Sequence, residues 1–160
     1  MPTTRLGPHE LDGYMQVHAV QGEILQLSVP TPTVEAAAQA VNALPEQIIK
    51  SILFMVDEQP VLAIGCGKST IGRRAIAELY AVGKKRVRLA TPEMVLEISG
   101  YEVGAMPPFG HRQPLTTLID PKVLVSSASY AGGGAENALV RLDPQEILRV
   151  TGAKVLDLVE

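Results

Sequence analysis

Lys50 is the residue of this chain best placed to do polar chemistry in apolar surroundings. It lies within residues 48–56, where every other residue except Ser51 is apolar. An enclosed ammonium without a partner is costly, so this lysine must reach solvent, pair with a carboxylate, or open into a polar cavity. In a cavity it would orient an anionic or carbonyl-bearing substrate, and the loss of hydration would lower its pKa. An edge-strand lysine that faces water is an equal alternative.

A second candidate is the loop of residues 104–111, which reads Gly-Ala-Met-Pro-Pro-Phe-Gly-His. Two prolines, Pro107 and Pro108, fix φ, and Gly104 and Gly110 allow backbone conformations that other residues avoid. Such a stiff loop presents backbone N–H groups at fixed positions, which suits it to holding a small polar group while the Phe109 ring closes one wall. A rigid connector without a ligand is the alternative.

Three further patterns carry weaker signals. Cys66 and His111 could form a nucleophile and a base, although no third, orienting group accompanies them. Residues 65–70 lack the first glycine of a phosphate-binding P-loop, because Leu62 stands in its place. The glycines at 132–134 favour a bulge or turn over a ligand contact. The three histidines and the single cysteine lack metal-ligand spacing, so we expect no metal and no cofactor.

Basic residues cluster locally, although the chain as a whole is acidic. The net charge of −3 gives no general attraction to nucleic acid, but Lys84, Lys85, Arg86 and Arg88 fall close together in the sequence. This segment predicts either a phosphate-binding patch or a solvated surface around a helix and the next strand.

Length and composition predict one soluble domain that spans residues 1–160. A hydrophobic content of 46% is enough for a real core, and 160 residues are too few for two comfortable domains. No apolar run approaches the length of a membrane span and the N-terminus has no signal-like pattern, so we expect a cytoplasmic protein. The single cysteine excludes an intrachain disulfide and fits a reducing compartment.

The elements that must position these residues alternate irregularly between helix and strand. Apolar periodicity and capping residues predict helices near residues 8–20, 33–44, 70–80, 91–99 and 143–151. The predicted strands lie near residues 23–28, 48–56, 61–64, 86–89, 115–119, 123–130, 138–142 and 154–158. Because strands adjoin strands as often as they adjoin helices, we predict an α+β fold with a mixed, largely antiparallel sheet and helices packed on it.

Several separated motifs occur together in one order along the chain. They are Lys50-Ser51 on a strand after an alanine-rich helix, residues 100–111, Asp120, the glycines at 132–134 and the segment 151–155, Thr-Gly-Ala-Lys-Val. This ordered set, which covers about residues 33–159, resembles the YbaK family of prolyl-tRNA-synthetase-associated editing domains.

The resemblance implies a free-standing enzyme that hydrolyses the ester joining a wrongly attached amino acid to tRNA. Lys50 would be the family's functional lysine, and Gly104 with Pro108 would form its Gly-x-x-x-Pro loop. The implied partners are a mischarged tRNA and an aminoacyl-tRNA synthetase, with no metal required. The predicted substrate contacts are Ser51, Met106, Pro107, Phe109, Gly110, His111, Gly132 and Gly133. The predicted tRNA contacts are Lys84, Lys85, Arg86 and Arg88.

Two departures from the family pattern leave the amino acid open. Gly132 begins the glycine turn where some members carry Ser-Gly-Gly, and Leu139 stands where some carry an aspartate. A tRNA- or nucleotide-binding module of the same fold without hydrolysis is the alternative function, and a cysteine hydrolase using Cys66 is a third. Hydrolysis is favoured if Lys50 and the Gly104 to Pro108 loop line one cavity, and binding alone if Lys50 faces bulk solvent.

Overall fold

The helices begin and end at capping residues that the sequence supplies. A computed structural model describes residues 4–160. Its α-helices are α1 (Pro8–Val17), α2 (Val34–Val41), α3 (Arg74–Tyr80), α4 (Pro92–Ser99) and α5 (Gln145–Thr151). The side chains of Thr33 and Thr91 cap the N-termini of α2 and α4, and Gly152 ends α5 in the left-handed conformation. Within residues 4–160, none of the helices combines the length and the apolar character that crossing a bilayer requires.

Eight strands within residues 4–160 form two sheets. They are β1 (Gly22–Gln26), β2 (Ile49–Val56), β3 (Gln59–Cys66), β4 (Val87–Leu89), β5 (Thr116–Ile119), β6 (Ser129–Gly132), β7 (Ala138–Leu142) and β8 (Lys154–Val155). The order β1-β7-β6 makes a small antiparallel sheet. The order β4-β2-β3-β5-β8 makes a mixed sheet in which β5 runs parallel to β3 and β8. The predicted α+β class is confirmed, with the strands divided between two sheets.

Strand β2 separates the main apolar clusters because its side chains alternate between two faces. On one face, Ile49 and Leu53 join the largest cluster. On the other face, Ile48 belongs to a small cluster with α2, and Phe54 belongs to a third cluster with α3. Lys50 lies between these last two clusters, so one polar residue interrupts an otherwise apolar face.

Several predicted elements are wrong in extent, including the last strand, which spans Lys154–Val155 instead of residues 154–158. A local side-chain contact decides one of the others, and a contact distant in sequence decides another. The predicted strand at 123–130 begins instead as the 3-10 helix Pro121–Val125, in which the Asp120 carboxylate accepts the Lys122 N–H at 2.9 Å. The helix predicted from residue 70 starts at Arg74. Residues 70–72 pair with the end of the chain, where the Gly72 N–H donates to the Leu158 carbonyl at 2.9 Å.

Candidate functional site

The middle of β2 is open, although both ends of the strand are buried. Residue 49 and residues 53–56 are buried, whereas residues 50–52 are only half-buried. On the edge away from β3, β4 pairs with residues 54–56, and β6 meets the chain only at a bridge between Ile48 and Tyr130. No strand within residues 4–160 pairs with residues 50–52 on that edge. We call this opening, at residues 50–52, the β2 crevice.

The Lys50 ammonium is held at the crevice by the backbone. Its Nζ donates to the carbonyl of Ser69, in the turn that follows β3. Burial lowers the pKa of the ammonium, and the nearby Cys66 thiol acts weakly in the opposite direction. No carboxylate within residues 4–160 forms a salt bridge with Lys50. Lys50 is therefore a half-buried ammonium with N–H donors to spare, not a lysine in bulk solvent.

The backbone of the 104–111 loop reaches the same side of the molecule as Lys50. Ile48 and Tyr130 form the bridge between the start of β2 and β6. Lys50 comes two residues after Ile48, and Gly132 comes two residues after Tyr130. Because side chains alternate between the two faces of a strand, positions 50 and 132 lie on the same face. A Cβ added to Gly132 would lie 2.4 Å from the carbonyl oxygen of Met106. The absence of a side chain at Gly132 is therefore what lets the loop backbone lie against the end of β6, beside the crevice.

Five backbone donors of the loop have no acceptor within residues 4–160. The N–H groups of Gly104, Met106, Phe109, Gly110 and His111 make no hydrogen bond to the described residues. The loop itself is fixed, because the Gly134 N–H donates to the carbonyl of Ala105 at 2.9 Å. Pro108, buried after Pro107, has no N–H to offer. The loop thus combines a fixed backbone with donors that a ligand can use.

The large side chains of the loop point into the core and away from Lys50. Met106 is buried, and Phe109 exposes 1% of its surface. The Phe109 ring stacks on Tyr14 with 5.5 Å between ring centroids, and Gly110 (φ 76°) passes close to the same tyrosine. The Phe109 ring therefore anchors the loop from behind, and its predicted role as one wall of the site stays a prediction.

His111 braces the loop instead of pairing with Cys66. Its Nε2–H donates to the carbonyl of Pro107 at 2.7 Å, since a carbonyl can only accept. Burial lowers the pKa of His111 to about 4, which keeps the ring neutral at pH 7. Burial also raises the pKa of the Cys66 thiol. No hydrogen bond joins the two residues within the described chain, so the hypothetical nucleophile–base pair is not formed.

Ser51, Gly133 and Leu139 are placed differently from Lys50. The Ser51 side chain points to the opposite face of β2, and its hydroxyl is the one buried side-chain polar atom without a partner in residues 4–160. The Gly133 N–H closes the β6–β7 turn, which is a structural role. Leu139 lies opposite Gly132 in register and packs in the small cluster beside Lys50. The substrate roles of Ser51 and Gly133 stay predictions.

The cations of residues 84–88 do not share one face. The Nζ of Lys84 lies 3.3 Å from the Glu160 carboxylate, and Arg86 pairs with Asp57. Arg88 pairs in register with Met55, which belongs to the largest apolar cluster. Arg88 therefore lies on the face away from Lys50. Lys85 is exposed. These charges are spread around the β4 edge, and RNA binding by them stays a prediction.

Sequence reasoning missed Ser69, whose carbonyl anchors Lys50. The two residues are 19 positions apart, and the bond joins a side chain to a main-chain oxygen that every residue type carries. The apolar run around Lys50 predicted that the ammonium needs a partner. It could not predict which backbone oxygen would serve.

Comparison with known proteins relates this arrangement to one family. Residues 28–150 match the family of aminoacyl-tRNA editing domains. The uncharacterized protein YwhH of Bacillus subtilis (strain 168) is 24% identical, over 84% of this chain and 85% of its own. The proline–tRNA ligase of Geobacillus sp. (strain WCH70) is 31% identical over 65% of this chain, which spans only 18% of the ligase. The crystal structure of a candidate trans-editing enzyme for prolyl tRNA synthetase has a TM-score of 0.88 and 34% identity, over 96% of each chain.

Proposed function

We propose a hydrolytic function from one premise: this chain belongs to the aminoacyl-tRNA editing domain family. The proposed activity is cleavage of the ester of a mischarged aminoacyl-tRNA by a free-standing protein. One observation supports the proposal, namely that Lys50, a half-buried ammonium held by the Ser69 carbonyl, lies on the face where the Met106 backbone packs against Gly132. The likeness to YwhH over most of both chains supports a protein that acts apart from a synthetase.

In this mechanism water attacks the ester carbonyl, and the protein positions the ester and stabilises developing charge. The Gly104 and Met106 N–H groups are the donors for the negative charge that grows on the carbonyl oxygen. The tetrahedral intermediate then breaks its bond to the ribose oxygen. The amino acid leaves as a carboxylic acid, which ionises, and the ribose oxygen takes a proton to become a hydroxyl.

Lys50 contributes an oriented positive charge. An ammonium has three N–H donors, and one of them is used by the Ser69 carbonyl. The other donors remain for the terminal phosphate or the ester oxygen of the tRNA. The hydrogen bond to Ser69 fixes the ammonium before the substrate arrives. Binding therefore costs little conformational entropy of the Lys50 side chain.

Binding without hydrolysis is the second candidate, and Leu139 is the observation that favours it. The side chain lies opposite Gly132 and is 5% exposed. An apolar side chain there provides neither a base nor a hydrogen-bond acceptor for the amino group of an aminoacyl ester. A protein with this lining could hold a charged tRNA without accelerating its hydrolysis.

The test is to incubate the purified protein with a panel of mischarged tRNAs and to follow the loss of each ester. We expect at least one ester to disappear far faster than in buffer. If every ester in the panel is lost no faster than by spontaneous hydrolysis, while the protein still binds tRNA, the protein is a binding module and not a hydrolase.

A further inference from the structure

A groove begins at the β2 crevice and runs along the Lys50 face of the sheet towards β4. It has a volume of about 470 Å³. Its floor is apolar and its rim is polar and cationic. The floor consists of Ile52, Phe54 and Leu89, and the rim includes Thr70, Arg73 and Lys84. We call this the Leu89 groove.

The near end of the Leu89 groove lies at Lys50. Ile52 projects to the same face as Lys50 and follows it by two residues, roughly 7 Å along the strand. Ser69, whose carbonyl holds the Lys50 ammonium, directly precedes Thr70 of the rim. A chain whose end is held at Lys50 can therefore enter this groove without crossing another element of the sheet.

The groove offers apolar surface between positive charges. Leu89 lies beside Phe54 in register and is 65% exposed, which is unusual for a large apolar side chain on a strand. Arg73 donates one long hydrogen bond, 3.4 Å, to the Val87 carbonyl, so most of its five N–H donors stay available. Flat bases stack on apolar surface while phosphates pair with cations, and single-stranded nucleic acid needs both.

The carboxylate that lines the groove is already engaged by protein donors. Glu160 accepts the Arg74 N–H at 3.2 Å and lies 3.3 Å from the Nζ of Lys84. Its charge is thus balanced within the protein. Arg73 remains to meet an incoming phosphate.

We propose that the Leu89 groove binds the unpaired 3′ nucleotides of the tRNA, next to the aminoacylated end. The inference rests on the proposed function, because an ester held at Lys50 is attached to single-stranded RNA that must leave the crevice. Leu89 would support a base, and Arg73 would pair with a backbone phosphate.

The test measures binding of uncharged tRNA, either intact or shortened by its unpaired 3′ nucleotides, by fluorescence anisotropy. The groove variants are Leu89→Ser and Arg73→Gln. The matched control is Arg141→Gln, an exposed arginine that pairs with Glu23 on the small sheet. For intact tRNA, each groove variant should weaken binding at least about fivefold, and the control should bind like the wild type. For shortened tRNA, wild type and groove variants should bind equally weakly.

Two outcomes would overturn the proposal. One is unchanged binding of intact tRNA by Leu89→Ser. The other is an equal loss of affinity for intact and shortened tRNA in Arg73→Gln. That result would show that Arg73 contacts the paired stem of the tRNA. Circular dichroism confirms that each variant is folded. Because no ester is cleaved in this assay, its result is independent of whether the mischarged panel is hydrolysed.

Discussion

Lys50 is made available by neighbours that need not touch a substrate. The Ser69 carbonyl fixes the ammonium. Gly65 lies opposite Lys50 in register, and because it has no side chain, Ile71 can pack against β3 there. A Cβ on Gly65 would lie 2.7 Å from that isoleucine. The position of the Lys50 side chain is thus set by one backbone oxygen and by one missing side chain.

Lys50→Ala should abolish deacylation while leaving the fold intact. The strand accepts a small side chain at a half-buried position, but the oriented positive charge is lost. We expect kcat/KM to fall by at least about 100-fold, to the level of uncatalysed ester loss. Lys68→Ala is the matched control, because Lys68 is exposed and pairs with Glu35 at 3.4 Å. Full activity in a folded Lys50→Ala protein would exclude the proposed role.

His111 makes the stability of the protein sensitive to mildly acidic pH. Its pKa is about 4 in the folded protein, against 6.5 for an exposed histidine. The unfolded chain therefore binds the proton more readily, and the stabilisation present above pH 6.5 is lost as the pH falls towards 4. Between pH 7 and pH 5 this residue should cost about 2 kcal/mol of unfolding free energy.

The measurement is urea unfolding of wild type and His111→Gln at both pH values. Glutamine keeps an N–H for the Pro107 carbonyl but does not titrate. The loss of stability between pH 7 and pH 5 should be about 2 kcal/mol smaller in the variant. Equal losses in the two proteins would show that the ring titrates normally.

Among the elements, β6 joins the two halves of the candidate site. Its Tyr130 bridges to the residue before β2, and its last residue, Gly132, receives the loop backbone. The turn that follows β6 adds a second tie, because the Gly134 N–H donates to the Ala105 carbonyl. The relative position of Lys50 and the loop thus depends on this short strand.

Gly132→Ala should displace the loop and remove activity. The added Cβ would meet the Met106 carbonyl at 2.4 Å, which cannot yield without moving the loop backbone, at a cost of about 1–3 kcal/mol. Gly83→Ala is the control, since nothing lies within 4 Å of a Cβ there. Thermal unfolding and deacylation should both report the difference, and a fully active Gly132→Ala protein would place the catalytic donors elsewhere.

The sequence predicted the β2–β3 hairpin and most helix ends because local residues decide them, as Thr33 and Gly152 do. It singled out Lys50 and the loop as candidates because a lysine in an apolar run and paired prolines are local signals too, and their roles stay predictions. It could not predict that Phe109 is buried, because that depends on Tyr14 of α1, which is distant in sequence. The strand predicted at 123–130 failed for a local reason, since the Asp120 carboxylate accepts the Lys122 N–H and begins a 3-10 helix there.

For the whole molecule, the distribution of charge matters more than its sum. The net charge of −3 opposes RNA binding, yet cations surround the β4 edge. Lys84 and Arg86 are balanced by carboxylates, whereas Lys85 and Arg88 form no salt bridge within residues 4–160. Cations without a carboxylate partner release more counterions when they bind phosphate. We therefore expect Lys85 and Arg88 to account for most of the salt dependence of tRNA binding.

The double variant Lys85→Gln and Arg88→Gln should therefore bind tRNA more weakly and with a salt slope smaller by roughly 1–2. Arg141→Gln with Lys154→Gln is the matched control, because β8, which holds Lys154, lies at the opposite edge of the mixed sheet from β4. Affinity is measured over a series of salt concentrations. An unchanged slope in the first variant, or an equal change in both, would place the RNA on another surface.

In the proposed mechanism, the bond between Lys50 and the Ser69 carbonyl makes catalysis depend on a surface turn. Insertions or deletions in that turn would shift the ammonium without replacing the lysine. Evolution could thereby retune an editing protein for a new cargo by changing residues that never meet it.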